Sequence, residues 1–548
     1  MVHKLQNQLE TVVNFCWSSF YRKLVAHSFI PLPTSLNGER KKAAILRIAI
    51  GIVAWVRTLE VLWGEWVIQG GELLPHALLS VVIVGLLTCF IIGFMTAPTT
   101  VLLILLYRHF ELKSATFTLG TDIFVNYLLL SLFVSSGAHY SLDGYLEKRC
   151  KWISKLNQAF LLIRTPRSLR AVYFLFFAYY ALMSFSAILM HVTDDYWWSF
   201  ISVKVALVNS YLCKYYAYFR LLDKDVPWLL GIISFLGVIF QGFFQMFMIP
   251  LIYFRWGSFY VKWHGVLFFV ISLFFLNLSY LPWIELGLWG LIFFPWKEKS
   301  PKASDAFPGG GQENLWQKVL LTGTLLIYFL VLFPYMLASG LLYGKTYRRL
   351  TDAYWLQRSL ELMTNRVSIW LAAHLGAVPP NVFNSQDLQM GECFFVLYRK
   401  DAQNKETMVP LVGQEGERLN YENFDFLFFM NHNSDVFYFG TTLIYRRAAQ
   451  AISNEQWVSW HTQGLGWKLI ERVISIDTGR AKALGSEVPK QYKVVLYRNA
   501  SARSLKLWEY CPEAYVNHPA MELSIEVSEK ETKLLNYRLL DSKLKNLN

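Results

Sequence analysis

The feature that most constrains this chain is the apolar run at 226–249, which contains no charged side chain. A helix needs about 20 mostly apolar residues to cross the hydrocarbon core of a bilayer. This run is long enough, and further apolar runs recur as far as residue 343. The sequence therefore predicts a polytopic membrane protein. Its first membrane helix is expected to serve as the targeting signal, because the polar N-terminal stretch resembles no cleavable signal.

Composition supports the same class of protein. Only 17% of the residues are charged, whereas soluble proteins contain about 25%. The net charge of +13 would indicate nucleic acid as a partner of a soluble chain. In a membrane protein, Lys and Arg accumulate in cytoplasmic loops, so the predicted partner is the lipid bilayer and no nucleic acid is expected.

The predicted fold is an α-helical polytopic membrane bundle of about nine spans, followed by a C-terminal β-rich domain. Segment 201–219 is short and polar, so it is either a span or a re-entrant segment. Segment 261–294 is too long for one helix and is broken by Asn277, Pro282 and Glu285. The predicted spans cover 43–66, 76–95, 99–118, 119–136, 171–191, 201–219, 226–249, 261–294 and 319–343.

Basic residues orient these spans. They are concentrated in 1–42 and 148–170, and four predicted spans separate the two regions, so both are predicted to be cytoplasmic. If the Lys-containing linker 296–318 is also cytoplasmic, the last span places the C-terminal part outside the cytoplasm. This is the favoured topology, although the Arg348–Arg349 pair argues for the opposite side.

Four regions are predicted along the chain: a basic segment 1–42, a membrane domain 43–344, a juxtamembrane helix 345–379 and a β-rich polar domain 380–548. Strands are expected at 392–400 and 492–500 and as a pair within 409–421, because aromatic and β-branched residues alternate with turn signals there. Cys393 and Cys511 are either a disulfide, in an extracytoplasmic domain, or two free buried thiols.

Charged residues inside a span usually face a cavity or a partner because they are costly in lipid. Arg57 and Glu60 are three residues apart in the first span and can pair on one helix face. A structural ion pair is the alternative to a cavity lining. The polar stretch 107–122 holds His109 and Asp122, which either line an outward-opening cavity or belong to a solvated loop.

The stretch "HVTDDYWWSF" at 191–200 holds the candidate catalytic residues. His191 can act as a base near neutral pH if Asp194 or Asp195 tunes it. One His is insufficient for a metal site, so no metal is predicted. The alternative is an interfacial anchor, because Trp197 and Trp198 are typical of an aromatic belt.

The broken segment supplies the remaining cavity-lining candidates. Irregular backbone at membrane depth survives only where it is buried in protein or lines a cavity. Asn277 and Glu285 lie in the break, and Lys262 and His264 lie near the start of the segment, from which they can reach the same face.

Several motifs in order resemble one family. The first span reads "AILRIAIGIVAWVRTLEVLW", the fourth contains "LGTDIFVNYLLLSLFV" and is followed by "HYSLDGYL", and a later segment reads "FLNLSYLPWIELGLWGLIFF". This order is similar to the HTTM family, the membrane domain of vitamin K-dependent gamma-carboxylases and their relatives, over roughly 40–295. Within "GAHYSLDGYLEKR" at 137–149, His139 and Asp143 are expected to cap and anchor the fourth span on the cytoplasmic side.

The resemblance implies a helical bundle whose interior cavity opens to the extracytoplasmic side and binds a reduced quinone. It also implies a Lys base near the end of the fifth span, just before a Trp. Here the matching stretch is "LMHVTDDYW", which contains no Lys, and His191 stands closest to that place. This departure puts the carboxylase chemistry in doubt.

Two functions remain open from the sequence. The first is a membrane enzyme that modifies a peptide or lipid-soluble substrate in an outward-facing cavity. The second is a non-catalytic maturation, immunity or scaffold protein whose β-rich domain binds a protein partner. A transporter is disfavoured, because paired broken helices with internal symmetry are not found in the sequence.

Overall fold

The fold is described from a computed structural model. The described residues are 11, 15, 17–68, 77–113, 121–147, 149–191, 194–209, 213–276, 278, 280–296, 315–343, 354–364, 366–368, 371, 375, 393–400, 405–409, 458–459, 461–483, 485–498, 505–516, 518–528 and 532–540.

The described part of the chain up to residue 363 is helical. A π-helical stretch, Tyr328–Leu332, joins two of the helices into one rod. The helices are α1 Leu36–Ile68, α2 Ala77–Ile92, α3 Thr96–Lys113, α4 Thr121–Val134, α5 Leu142–Leu146, α6 Lys151–Ala159, α7 Pro166–His191, α8 Asp195–Trp198, α9 Ser202–Val208, α10 Tyr216–Asp225, α11 Pro227–Leu251, α12 Arg255–Phe275, α13 Leu281–Phe293, α14 Leu315–Ile327, α15 Phe333–Tyr343 and α16 Tyr354–Met363.

The prediction of about nine spans is not supported. Among the described residues, four helical segments are long and apolar enough to cross a membrane: Pro166–Leu189, Pro227–Leu251, Arg255–Phe275 and Val319–Ala338. Helices α2 and α13 are apolar but shorter, and α1 carries several charged residues. The predicted segment 201–219 is two short helices, α9 and α10, because polar residues interrupt it.

Helix α7 lies at the centre of the bundle. In an apolar stretch of 18 residues of α7, 83% of the residues are buried. In the equivalent stretches of α11 and α12, 22% of the residues are buried. A helix that is hydrophobic all round must either be surrounded by protein or face lipid. The first situation applies to α7, and α11 and α12 present large apolar side chains outward, among them Leu236, Phe240 and Phe274.

The broken segment forms two helices, α12 and α13, as the sequence predicts. Pro282 stands at the start of α13, a position where its missing N–H costs nothing. Two described residues at the start of the break are bound by protein: Leu276 forms a β-bridge with Cys213, and the Lys214 N–H donates to the Phe275 carbonyl at 2.9 Å. This is the burial that irregular backbone at membrane depth requires.

The two basic regions of the sequence meet at one end of the bundle, called here the basic end. The Arg40 guanidinium donates to the Ile163 carbonyl at 3.0 Å, and Arg170 donates to the carbonyls of Ile30 and Ser28. The prediction that residues 1–42 and 148–170 share one side of the molecule therefore agrees with these contacts.

Asp143 is an interhelical anchor at the basic end. Its side chain is fully buried and accepts hydrogen bonds from the backbone N–H groups of Met95 and Thr96 at 2.7 Å and from the Thr96 hydroxyl at 2.8 Å. It thereby satisfies free donors at the start of α3. Gly93 lies beside it at φ +70°, and a Cβ there would meet the Arg47 guanidinium and the Ser141 side chain, so only glycine fits.

The C-terminal domain contains a five-stranded antiparallel sheet in the order β2-β1-β3-β4-β5. Strands β1 and β3 confirm the predictions at 392–400 and 492–500, while the predicted pair within 409–421 lies outside the described residues. Within the predicted juxtamembrane helix 345–379, α16 covers Tyr354–Met363, and residues 366–368 and 371 are also helical. The strands are β1 Cys393–Lys400, β2 Glu406–Met408, β3 Gln491–Arg498, β4 His518–Val527 and β5 Thr532–Leu539.

One face of the sheet is covered by helix α17, Leu465–Ala483, which also contacts α1 and which the sequence analysis did not predict. Asp477 of α17 is bound by Arg399 Nε at 2.7 Å and by the Tyr492 hydroxyl at 2.8 Å. Asp477 and this side-chain network therefore fix the helix to strands β1 and β3. Cys511 is a free, buried thiol, so the disulfide alternative is wrong.

Candidate functional site

The bundle interior contains a buried carboxyl group at Glu285. Its side chain is 6% exposed, and Oε1 accepts a hydrogen bond of 2.8 Å from the Tyr180 hydroxyl. The Tyr180 ring packs edge-on against Trp289 and Phe269, with centroid distances of 5.4 and 6.1 Å. Helices α7 and α13 therefore bring one acidic group and one phenol together inside an aromatic shell.

Arg57 is a buried cation on α1. It is 7% exposed, and its guanidinium lies 5.9 Å from the centre of the Tyr280 ring, a cation–π contact. Tyr280 immediately precedes α13, the helix that carries Glu285. The side chain of Glu60 lies outside the described residues, so the predicted Arg57–Glu60 pair stays a prediction.

Hydroxyl groups extend this polar interior through neighbouring helices. The Thr58 and Tyr107 hydroxyls are 3.3 Å apart, and the Tyr328 hydroxyl donates to Asn126 Oδ1 at 3.4 Å. The Tyr127 hydroxyl is buried and has no hydrogen-bond partner among the described residues. Unpaired buried polar groups are rare and costly, so the Tyr127 hydroxyl is an exception within this interior.

Two charged residues of the predicted polar stretch 107–122 form an ion pair. Arg108 Nη1 and Asp122 Oδ1 are 3.4 Å apart, and both side chains are largely buried. The pair joins the end of α3 to the start of α4. His109, in contrast, is exposed. Its assignment as a residue that lines an outward-opening cavity stays a prediction.

The three predicted catalytic residues do not form a hydrogen-bonded constellation. Asp194 is buried, but its Oδ1 caps α8 by accepting the Tyr196 N–H at 2.9 Å, and Asp195 is exposed. His191 is 4% exposed and neither ring nitrogen has a hydrogen-bond partner among the described residues. The predicted mechanism required an aspartate to orient the His191 ring. Neither Asp194 nor Asp195 forms a hydrogen bond with that ring.

One face of the His191 ring is covered by Trp197. The two rings are stacked, with centroids 4.0 Å apart and planes at 22°. A flat aromatic ligand such as a quinone could therefore not stack on that face of His191, and the Lys expected of the carboxylases is absent. The described residues at this position therefore do not fit a quinone.

Lys262 and His264 lie on α12. The Lys262 ammonium is 3.9 Å from the centre of the Phe294 ring, while His264 Nε2 is 3.3 Å from Gln241 Oε1. A hydrogen bond of 3.0 Å from Trp289 Nε1 to the Lys262 carbonyl connects α12 to α13, the helix of Glu285. Asn277 lies outside the described residues, so its assignment stays a prediction.

Lys204 and Asp223 form a fully buried ion pair that was not predicted from the sequence. Their charged atoms are 2.6 Å apart and both side chains are inaccessible. The Lys204 ammonium also donates to the carbonyls of Lys506 and Glu509 at 2.8 and 3.0 Å, which fills its three donor positions. The Tyr515 hydroxyl donates to Asp223 Oδ2 at 2.5 Å. These groups are called here the Lys204 clamp.

The Lys204 clamp attaches segment 505–515 of the C-terminal domain to α9, α10 and α11. Burial and the neighbouring Asp223 carboxylate raise the pKa of Tyr515 well above its usual value, so the phenol stays protonated and donates. Gly231 of α11 lies under the segment, and a Cβ there would be 2.5 Å from the Leu507 carbonyl oxygen. In the sequence, this ion pair was indicated by the lone Lys in the apolar heptad "SVKVALV", because a charged residue within an apolar segment usually has a partner.

Among the described residues, no group of three or more His, Cys, Asp or Glu side chains could hold a metal ion. Scans against protein-family models, curated proteins and solved structures each found no match to this chain. The chemistry of the polar interior around Glu285 and the role of the Lys204 clamp therefore follow from their own geometry.

Proposed function

We propose that this chain is a multi-pass membrane enzyme of the HTTM type, which modifies a peptide or a lipid-soluble substrate in a cavity of the bundle interior. The single observation that carries the proposal is the Glu285 carboxyl, buried within apolar helices and hydrogen-bonded to Tyr180. Ionisable groups inside a membrane bundle are costly and typically serve function. The order of the sequence motifs supports the family assignment.

In the proposed reaction, Glu285 is the group that takes a proton from the substrate or returns one. Tyr180 orients the carboxyl through its hydrogen bond, because Oε1 is then held and Oε2 remains directed to the substrate. Arg57 stabilises negative charge that develops on the substrate, as preorganised cations do in water-poor sites. His191 binds the substrate through its unpaired ring nitrogens.

The proposed topology places the basic end in the cytoplasm and the His191 end on the extracytoplasmic side. Support comes from the density of Arg and Lys at the basic end and from the contact of segment 505–515 with α9 and α11. The N-terminus is then cytoplasmic and the C-terminal domain extracytoplasmic. The cavity is proposed to open at the His191 end.

The experiment compares turnover by matched variants. The purified protein is reconstituted in nanodiscs of total membrane lipid, supplied with a peptide mixture and incubated in D₂O, and lipids and peptides are analysed by mass spectrometry. The wild type is expected to introduce deuterium or a new group into one class of molecule. Glu285→Gln should abolish this, while Glu487→Gln, at an exposed glutamate of the C-terminal domain, should not. Equal products from both variants would overturn the assignment.

The Lys204 clamp favours a second function, a non-catalytic scaffold whose C-terminal domain binds a protein partner. A fully buried ion pair between the bundle and segment 505–515 holds the domain in a fixed place, as a scaffold requires. In this case the turnover assay gives no product with any variant. A defined peptide instead co-purifies with the wild-type chain and is lost from Lys204→Met.

A further inference from the structure

The basic end carries an exposed surface in which aromatic and cationic side chains alternate. Tyr140, Tyr145 and Trp152 are 61%, 55% and 56% exposed, and the charged members of the surface are exposed as well. The basic–aromatic surface consists of Tyr140, Tyr145, Arg149, Lys151, Trp152 and Lys155.

This surface is held rigidly by the buried network beneath it. Arg47 Nη2 donates to the Tyr140 carbonyl at 2.7 Å, and the buried Asp143 carboxylate fixes α5 to the start of α3. Helix α6 buries Ile153 against the protein. The fold therefore directs Tyr145 and Trp152 outward, although large aromatic side chains are normally buried.

The exposed charge of the surface is positive. Of the two acidic residues in this stretch, Asp143 is buried and engaged with α3, and Glu147 is half-buried. The Arg149 guanidinium stacks on the Tyr145 ring, 4.6 Å from its centre, which orients both groups at the surface. Cations beside exposed Trp and Tyr are the combination found where proteins meet the headgroup region of a bilayer.

We propose that the basic–aromatic surface binds the phosphate headgroups of anionic phospholipids in the leaflet around the basic end. The cations attract the headgroup phosphate, and the aromatic side chains enter the interfacial layer beside it. A Lys or Arg near an anionic membrane surface contributes about 1 kcal/mol, which corresponds to about a fivefold change in binding per cation. The three cations together give a preference for anionic lipid of about a hundredfold.

The test uses Trp152→p-benzoylphenylalanine in the full-length protein, reconstituted in nanodiscs of phosphatidylcholine with a minority of phosphatidylglycerol. After irradiation, mass spectrometry identifies the class of each cross-linked lipid. The expected result is strong enrichment of phosphatidylglycerol over its share of the bilayer. The same photoreactive residue at Leu236, which is exposed on α11, serves as the control and should cross-link in proportion to composition.

The triple variant Arg149→Gln, Lys151→Gln, Lys155→Gln should lose the enrichment at position 152 while its thermal unfolding is unchanged, because all three side chains are exposed. Phosphatidylglycerol cross-linking in proportion to its abundance in the parent protein would overturn the proposal. Loss of the phosphatidylglycerol enrichment at position 152 when inorganic phosphate alone is added would also overturn the proposal, because the surface would then be a site for free phosphate. The Glu285 site is not involved, so either result leaves the proposed function untouched.

Discussion

The Lys204 clamp makes a prediction about how the C-terminal domain is attached. Lys204→Met removes one charge of a fully buried pair. Among the described residues, the Asp223 carboxylate then keeps the Tyr515 hydrogen bond alone. Breaking a buried pair by removing one partner costs about 3–5 kcal/mol. Two backbone carbonyls, of Lys506 and Glu509, lose their donor as well, so we expect the upper part of that range.

This cost should appear as local opening of segment 505–515. Each 1.4 kcal/mol changes an equilibrium about tenfold, so the population of the detached segment should rise by about three orders of magnitude. Amide hydrogen exchange by mass spectrometry in nanodiscs measures it directly. The backbone amides of 505–515 should exchange faster by that factor, while those of α7 should be unchanged.

A double variant separates lost charge from lost packing. In Lys204→Met with Asp223→Leu no buried charge is left uncompensated, so the cost should be well below that of the single variant. Lys224→Met, at the exposed neighbouring lysine, is the matched control and should have no effect. The reasoning is refuted if Lys204→Met exchanges at the wild-type rate, or if the double variant is no better than the single one.

Three further predictions concern other parts of the molecule. Gly231→Ala should loosen the same segment by about 1–3 kcal/mol, because the new Cβ would lie 2.5 Å from the Leu507 carbonyl oxygen; hydrogen exchange measures it. Asp143→Ala should lower thermal stability by about 1–3 kcal/mol for each buried donor left unpaired, Thr96 N–H among them. Burial and a neighbouring carboxylate raise the pKa of Tyr492 above its usual value, so stability should fall as pH rises above about 10, and Tyr492→Phe should reduce that fall.

The sign of the last effect follows from proton binding. Above its ordinary pKa the tyrosine is ionised in the unfolded chain but protonated in the folded one, so raising the pH favours unfolding. The same alkaline slope in Tyr492→Phe and wild type would contradict this. Wild-type stability of Gly231→Ala and Asp143→Ala would contradict the packing and capping roles assigned to those positions.

The long apolar helices, such as α7 and α11, could be predicted from the sequence because apolar runs are local, whereas the number of spans could not. The break before α13 followed from Pro282, and strands β1 and β3 followed from their β-branched and aromatic residues. Helix α17 could not be predicted in the same way, since its sequence "LGWKLIERVISIDTGRAKA" mixes polar and apolar residues and is helical through packing on the sheet. Tertiary contacts decided its structure, and no local pattern encodes them.

The candidate site was less predictable than the fold. A buried carboxyl at Glu285 was expected from its position in an apolar segment, but its partner Tyr180 looks like any aromatic residue of α7. The partners of Lys204 are Asp223, on the next helix, and the carbonyls of Lys506 and Glu509, about 300 residues further along the chain. The catalytic roles of His191, Asp194 and Asp195 stay predictions, and Asp194 also caps α8, a role that sequence proximity cannot distinguish from catalysis.

The central claim is that the interior around Glu285 binds a peptide or lipid-soluble substrate. Native mass spectrometry of the intact protein released from nanodiscs of total membrane lipid tests it most directly. The wild type and Glu487→Gln are predicted to carry the same bound molecule, which Glu285→Gln and Tyr180→Phe have lost or hold more weakly. An identical set of bound molecules in all four proteins would contradict the account.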